Sequence, residues 1–167
     1  MGVGKTAIVD ELAYLITTGN VPSFLKGRMI IEINLNNAIA NTQFRGQFED
    51  NIKRIFDFCK KNNAILFIDE FHLVYGLGTS IEDKFDMSDM LKHAIDRDNL
   101  KVIGATTIDE YQEYLAGDAL KRRFKIIPVG EPKGEILHDI IYNSIINMCN
   151  DRHVEISNEF SWNMGTI

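Results

Sequence analysis

Two short stretches of this chain have the residue types and order to handle a phosphate and a metal ion. Gly2-Val3-Gly4-Lys5-Thr6 is the second half of the pattern G-x-x-x-x-G-K-[ST], whose first glycine would lie two positions before Met1. Glycines let successive backbone N–H groups turn toward phosphate oxygens; the lysine reaches the terminal phosphates and the threonine hydroxyl can ligate Mg²⁺. Further along, the apolar run Ala64-Ile65-Leu66-Phe67-Ile68 ends at Asp69-Glu70. A carboxylate at a strand tip can hold the water shell of Mg²⁺, and the next one can polarise an attacking water. Asp-Glu pairs are common on surfaces, so the pair gains meaning from the apolar run before it and from Gly-Lys-Thr upstream. Together the two stretches point to a nucleoside triphosphatase of the phosphate-loop class.

Such groups need elements to hold them. Ile8, Leu12, Leu15 and Ile16 recur at helical spacing from Lys5 to about Thr18, and Gly19-Asn20 suits the left-handed end of that helix. Met29 to Ile33 is short, β-branched and strand-like. Phe44, Phe48, Ile52, Ile55, Phe56 and Cys59 predict an amphipathic helix over Arg45 to Lys61. Ala64 to Ile68 reads as a strand buried on both faces, the mark of a parallel sheet. Leu100 to Ala105 predicts a further strand ending at Thr106-Thr107, and Phe124 to Val129 another extended stretch. Helices are expected near Met87–Asp96 and Asp109–Leu115, and a long one after Pro132 through Ile136, Ile140, Ile141, Ile145 and Met148. Gly76 to Lys84 reads as an exposed loop. Alternating strands and helices imply an α/β fold with a mostly parallel sheet.

Composition narrows the class. The 167 residues carry a net charge of −6, with 45% hydrophobic and 25% charged residues, ordinary for a globular domain. The acidic balance argues against a dedicated nucleic-acid binder, although Lys121-Arg122-Arg123 is a local basic patch. Cys59 and Cys149 lie far apart on apolar helix faces and read as buried thiols in a reducing compartment. No apolar run reaches the roughly 18 residues of a membrane span. A cytosolic or organelle-lumen location follows as the expectation.

Five stretches in order carry a resemblance. Gly2 to Val9 (including Ala7), Phe44-Arg45-Gly46-Gln47-Phe48-Glu49, Ile65 to His72, Val102 to Tyr111 and Leu120 to Phe124 resemble the first AAA+ module of Clp-type unfoldases and disaggregases. The likeness runs to about residue 153. It implies a phosphate-loop three-layer αβα fold, with an AAA+ large subdomain over residues 1–131 and the start of a helical lid over 132–167. It also implies an ATP-hydrolysing module of a homo-hexameric chaperone ring that threads unfolded or aggregated polypeptide through a pore, in some members beside a partner peptidase.

Residue by residue, the resemblance assigns ATP contacts to Gly2, Val3, Gly4, Lys5, Thr6 and Ala7. Mg²⁺ falls to Thr6 and Asp69, and water activation to Glu70. Thr107 would sense the terminal phosphate, with Thr106 its nearest competitor. Arg122 and Arg123 would act as arginine fingers in the neighbouring subunit's site; the alternative from residues alone is a solvated basic turn before a strand. Phe44, with Arg45 and Gly46, would be the pore loop; without the resemblance Phe44 reads as a helix-start staple. His72 follows the Asp-Glu pair as in the family, while His93, His138 and His153 have no ligand-like spacing, so packing is the reading for the histidines.

The sequence also departs from the family pattern. Gln43-Phe44 stands where Lys-Tyr is usual, Asp89-Met90-Leu91-Lys92-His93 lacks a proline, and the stretch before the arginines is one residue short. The strand that feeds the phosphate loop in the family would precede Met1. On that basis these 167 residues alone are expected to bind ATP poorly and hydrolyse almost none. Two other readings stay open: a DNA-directed AAA+ ATPase and an inactive piece of an ATPase.

Overall fold

A computed structural model describes residues 4–40, 45–76 and 87–151. The chain divides into two compact units, Met1–Ile127 and Pro128–Ile167. The first is a layered α/β unit. Helix α1 (Lys5–Thr17) leads to strand β1 (Ile30–Ile33), followed by the short helix α2 (Leu35–Ala40) and the long helix α3 (Arg45–Lys61). Strand β2 (Ile65–Ile68) precedes α4 (Leu73–Gly76) and α5 (Met87–Asp98), and strand β3 (Lys101–Gly104) leads to the one-turn helix α6 (Ile108–Glu110). The three strands form a parallel sheet in the order β1-β2-β3. Its register pairs Ile33 with Ile68 and Ile68 with Gly104, so all three strands end level at one edge. Parallel strands need helical crossovers, and the sequence supplies them in alternation.

Strand alternation sorts the side chains onto two faces. Ile33, Leu66 and Ile68 enter the main core with Phe48, Ile52 and Phe56 of α3 and Leu91 of α5. Phe67 turns the other way, to a smaller cluster with Val9 of α1, Ala105, Ile30 and Ile103. Every residue of β2 is buried, as expected of a strand covered on both faces. Helix α1 uses a slightly different stripe from the one its spacing suggested. Val9 and Ile16 are buried and Leu12 half-buried, while Ile8 is exposed. The sheet covers a narrow patch of α1, and Ile8 lies one position to its side. The helix ends as expected: Gly19 is left-handed at φ 74°, its N–H reaches the Ile16 carbonyl, and Asn20 N–H reaches that of Leu15.

Two expectations need correction. Phe124 to Val129 forms no strand: Phe124 is extended at φ −113° and ψ 141°, yet no neighbour among the described residues pairs with it. The expected Asp109–Leu115 helix is split, because α6 gives way at Tyr111–Leu115 to a wider turn in which Ala116 N–H bonds the Tyr111 carbonyl. Of the cysteines, Cys59 is buried, and burial pushes its thiol pKa up; Cys149 is only half-buried. In the second unit, Gly134, left-handed at φ 57°, precedes α7 (Glu135–Asp151). The loop expected at Gly76 to Lys84 lies outside the described residues beyond Gly76.

Candidate active site

The level edge of the sheet gathers the chemistry. Immediately past β2, Asp69 and Glu70 form a turn held at both ends by one residue of the next strand's extension. Ala105 N–H donates to the Ile68 carbonyl at 3.0 Å, and Phe71 N–H donates to the Ala105 carbonyl at 2.8 Å. Fitting two residues between those bonds forces Glu70 into the left-handed region, at φ 50°. Such a conformation costs a non-glycine residue about 1–3 kcal/mol and persists only where the surroundings impose it. Asp69 Oδ1 accepts from the Glu70 N–H at 2.9 Å, which locks the turn further.

Asp69 Oδ2 accepts from the Thr6 hydroxyl at 3.2 Å. That contact joins the first turn of α1 to the tip of β2 across 63 residues of sequence. Gly4 caps α1 at φ 87° with no side-chain cap, so the N–H groups of the first turn meet no capping side chain and suit an anion. The paired hydroxyl and carboxylate are hard oxygen ligands, the donor set that Mg²⁺ takes, and the site fits that ion. Gly2, Val3 and Phe44 lie outside the described residues. Arg45 and Gly46 open α3.

A second set of polar groups stands beside Glu70. Thr107 caps α6 with a full capping box, its hydroxyl accepting from the Glu110 N–H at 3.3 Å while Glu110 Oε2 accepts from the Thr107 N–H at 3.0 Å. The Thr106 hydroxyl donates to the same oxygen at 2.9 Å. These bonds, the Thr107 N–H foremost, hold the Glu110 carboxyl down at about 2. His72 Nδ1 lies 3.2 Å from Glu110 Oε2, 3.5 Å from Glu70 Oε2 and 3.3 Å from the Thr106 hydroxyl. Ligand atoms of Glu70, His72 and Glu110 fall within 4.8 Å of one another. The hydrogen bonds that already converge on Glu110 account for that cluster without an ion.

The basic turn is built differently. Asp118 caps Ala119–Arg123 by accepting from Leu120 N–H at 2.6 Å, and Leu120 is fully buried beneath it. Arg123 is committed: its Nε donates to Asp96 Oδ1 at 2.8 Å, its Nη2 to Asp96 Oδ2, and its Nη1 to the Ala119 carbonyl at 2.8 Å. The pair holds the Asp96 carboxyl below its ordinary range. Arg122 is exposed and makes no hydrogen bond or ion pair among the described residues.

Of the residues singled out in the sequence, Thr6, Asp69, Glu70, Thr106 and Thr107 therefore meet at one edge. Two residues of that edge escaped the sequence reading, His72 and Glu110. Thr107-Ile108-Asp109-Glu110 carried a signal for the second, the T-x-x-E spacing of a capping box.

A three-stranded parallel sheet with a glycine-capped helix and an Asp-Glu turn at its edge defines an α/β nucleotide-binding unit. Residues 1–128 match the family model described as "ATPase family associated with various cellular activities (AAA)". The chain belongs to the AAA ATPase family, and membership implies nucleotide binding. Within that family it is related to the ClpB and Hsp104 chaperones. It is 46% identical over 137 residues to the chaperone protein ClpB of Propionibacterium freudenreichii and 44% identical to that of Corynebacterium efficiens. Each match covers 80% of this chain and 16% of the relative, so the chain spans about one sixth of their length. The solved complex of S. cerevisiae Hsp104 with ADP overlays with a TM-score of 0.73 at 36% identity, covering 84% of this chain and 20% of that one. The S. cerevisiae Hsp104:casein complex gives 0.77 at 33% identity, covering 93% and 27%. No helix among the described residues is long and apolar enough to cross a membrane.

Proposed function

We propose that this chain is the ATP-hydrolysing large subdomain of a hexameric protein unfoldase or disaggregase. The observation that carries the reading is the Thr6–Asp69 hydrogen bond, with Glu70 next in the chain and held in a strained turn. It brings the first turn of α1, Thr6, Asp69 and Glu70 to one sheet edge, which supports the roles given to them here.

In this reading the first-turn N–H groups of α1 and Lys5 hold the phosphates, while Thr6 and Asp69 hold Mg²⁺. Bound there, Mg²⁺ would supply positive charge against the phosphate oxygens. Glu70 accepts a proton from the attacking water. Thr107, three residues past the end of β3 at Gly104, reports on the terminal phosphate. Thr106 is its nearest competitor, with its hydroxyl donating to Glu110 at 2.9 Å. Arg122 reaches into the neighbouring subunit's site, and a guanidinium there stabilises charge on the transferring phosphoryl group. Phe44, with Arg45 and Gly46, forms the pore loop that grips polypeptide. The Hsp104 structures, one of them with casein, support the extension to protein clients by relation.

The test is Glu70→Gln in the assembled protein that carries these residues. Hydrolysis falls by about 10²–10⁴-fold while ATP binding is kept. Hydrolysis that survives the substitution refutes the assignment of Glu70, and binding lost with it refutes the division of labour between Glu70 and the Lys5–Thr6–Asp69 set.

A further inference from the structure

The backbone of Glu70 is fixed by the bonds from Ala105, but its carboxylate is not. The Glu70 side chain is 44% exposed, and the contact it makes across the site is with His72. The imidazole is only 18% exposed and has one nitrogen facing two carboxylate oxygens. Its hydrogen-bond contact is with the Thr106 hydroxyl at 3.3 Å, which itself donates to Glu110. Its nearer partner, Glu110, is immobile: the Thr107 N–H and the Thr106 hydroxyl both donate to the same oxygen, Oε2. His72 is thus anchored on the β3 side of the edge and presents Nδ1 to Glu70 on the β2 side at 3.5 Å.

We infer that His72 is a positioning residue for Glu70, tethering its carboxylate through Glu110 to the Thr106–Thr107 segment, so that the segment expected to sense the terminal phosphate also sets the orientation of the base. The inference rests on the reading of Glu70 as the water-activating carboxylate. It adds a side-chain link to the backbone link already made by Ala105. Because the His72–Glu70 contact is the longer of the two, the carboxylate can turn to its water while the imidazole stays on Glu110.

Two substitutions separate this role from packing, since the His72 ring also lies 6.0 Å from that of Tyr114. His72→Phe keeps the ring and removes the polar nitrogen; His72→Asn loses the ring and keeps a polar amide near the place of Nδ1. Both are measured in the assembled protein, with thermal melts to establish folding and Glu70→Gln as the reference. Positioning predicts that His72→Phe lowers kcat by about tenfold to a hundredfold with KM within about twofold, the size of effect a displaced catalytic group produces. It predicts that His72→Asn recovers most of that loss. Glu110→Gln is expected to lower kcat too, and adding it to His72→Phe to cost little more, since both break one chain of contacts.

A His72→Phe protein with undiminished kcat, a loss confined to KM, or a His72→Asn protein no better than His72→Phe each overturns the inference. If Glu70→Gln is inactive and His72→Phe is normal, only the tether falls. If Glu70→Gln still hydrolyses ATP, the reading of Glu70 falls and the tether with it.

Discussion

The strand-tip edge and the basic turn after Asp118 are both polar, yet they are wired in opposite ways. At the edge, Thr6, Asp69, Glu70, His72, Thr106, Thr107 and Glu110 bond to one another, so each group's position depends on the others. In the turn the backbone is anchored by Asp118 and Leu120, but the two arginines diverge: Arg123 is spent on Asp96 and Arg122 faces solvent. On the function proposed above, the difference suits two tasks. Groups that act within one subunit gain from mutual restraint, whereas a group that reaches a neighbour must stay uncommitted until the neighbour is there.

The sharpest way to break that comparison is to remove each arginine in turn. Arg122→Ala is expected to cut ATP turnover of the assembled protein by about a thousandfold, the scale of a lost arginine finger. Arg123→Ala should cost far less turnover, because its guanidinium already has a carboxylate partner in its own chain. Steady-state kcat for the two variants decides it: equal losses would show that Arg123 leaves Asp96 during the cycle.

A second substitution tests how rigid the strand-tip edge is. A Cβ at Gly104 would stand 2.5 Å from the Phe71 ring, which is 2% exposed and packed edge-on against Phe124 at 5.1 Å. Gly104→Ala is therefore expected to destabilise the first unit by about 1–3 kcal/mol, read as a lower midpoint in urea. Because Phe71 is the residue after Glu70, turnover should fall as well. A fully stable variant would mean that the edge yields more easily than its hydrogen bonds suggest.

The smallest effect concerns acid. Glu110 titrates at about 2 in the fold against an ordinary 4.5. A depressed carboxyl contributes stability that is fully present above its unfolded value and is lost as pH falls from about 4.5 through about 2. Urea midpoints should drop over that window, and Glu110→Gln should drop less than the parent between pH 5 and pH 3. Parallel losses in the two proteins would remove Glu110 from the account of acid sensitivity.

Much of this architecture was legible in the sequence. Helix α3 spans Arg45–Lys61 as its apolar spacing indicates, and the run before Asp69 is a strand buried on both sides. Such signals are local: period and turn residues act within a few positions. Phe124 to Val129 reads as extended, and Phe124 is so, but extended residues become a strand only when a neighbour supplies hydrogen bonds. His72 reads as packing in the sequence because, although Glu70 is two positions away, the other carboxylate it meets, Glu110, is 38 positions away.

Residue type and spacing alone thus determined the chemistry on offer: a lysine and threonine at a glycine-led helix start, and an acid pair at the end of an apolar strand. Those features are covalent neighbours and need no fold to be recognised. Which groups meet was decided only by the tertiary structure. Parallel register brings the ends of β2 and β3 level, and from that follow the strained turn at Glu70, the bridge through His72 to Glu110, and the commitment of Arg123 but not Arg122. Hydrogen bonds and ion pairs act over a few ångströms of space, and the sequence records no such distance.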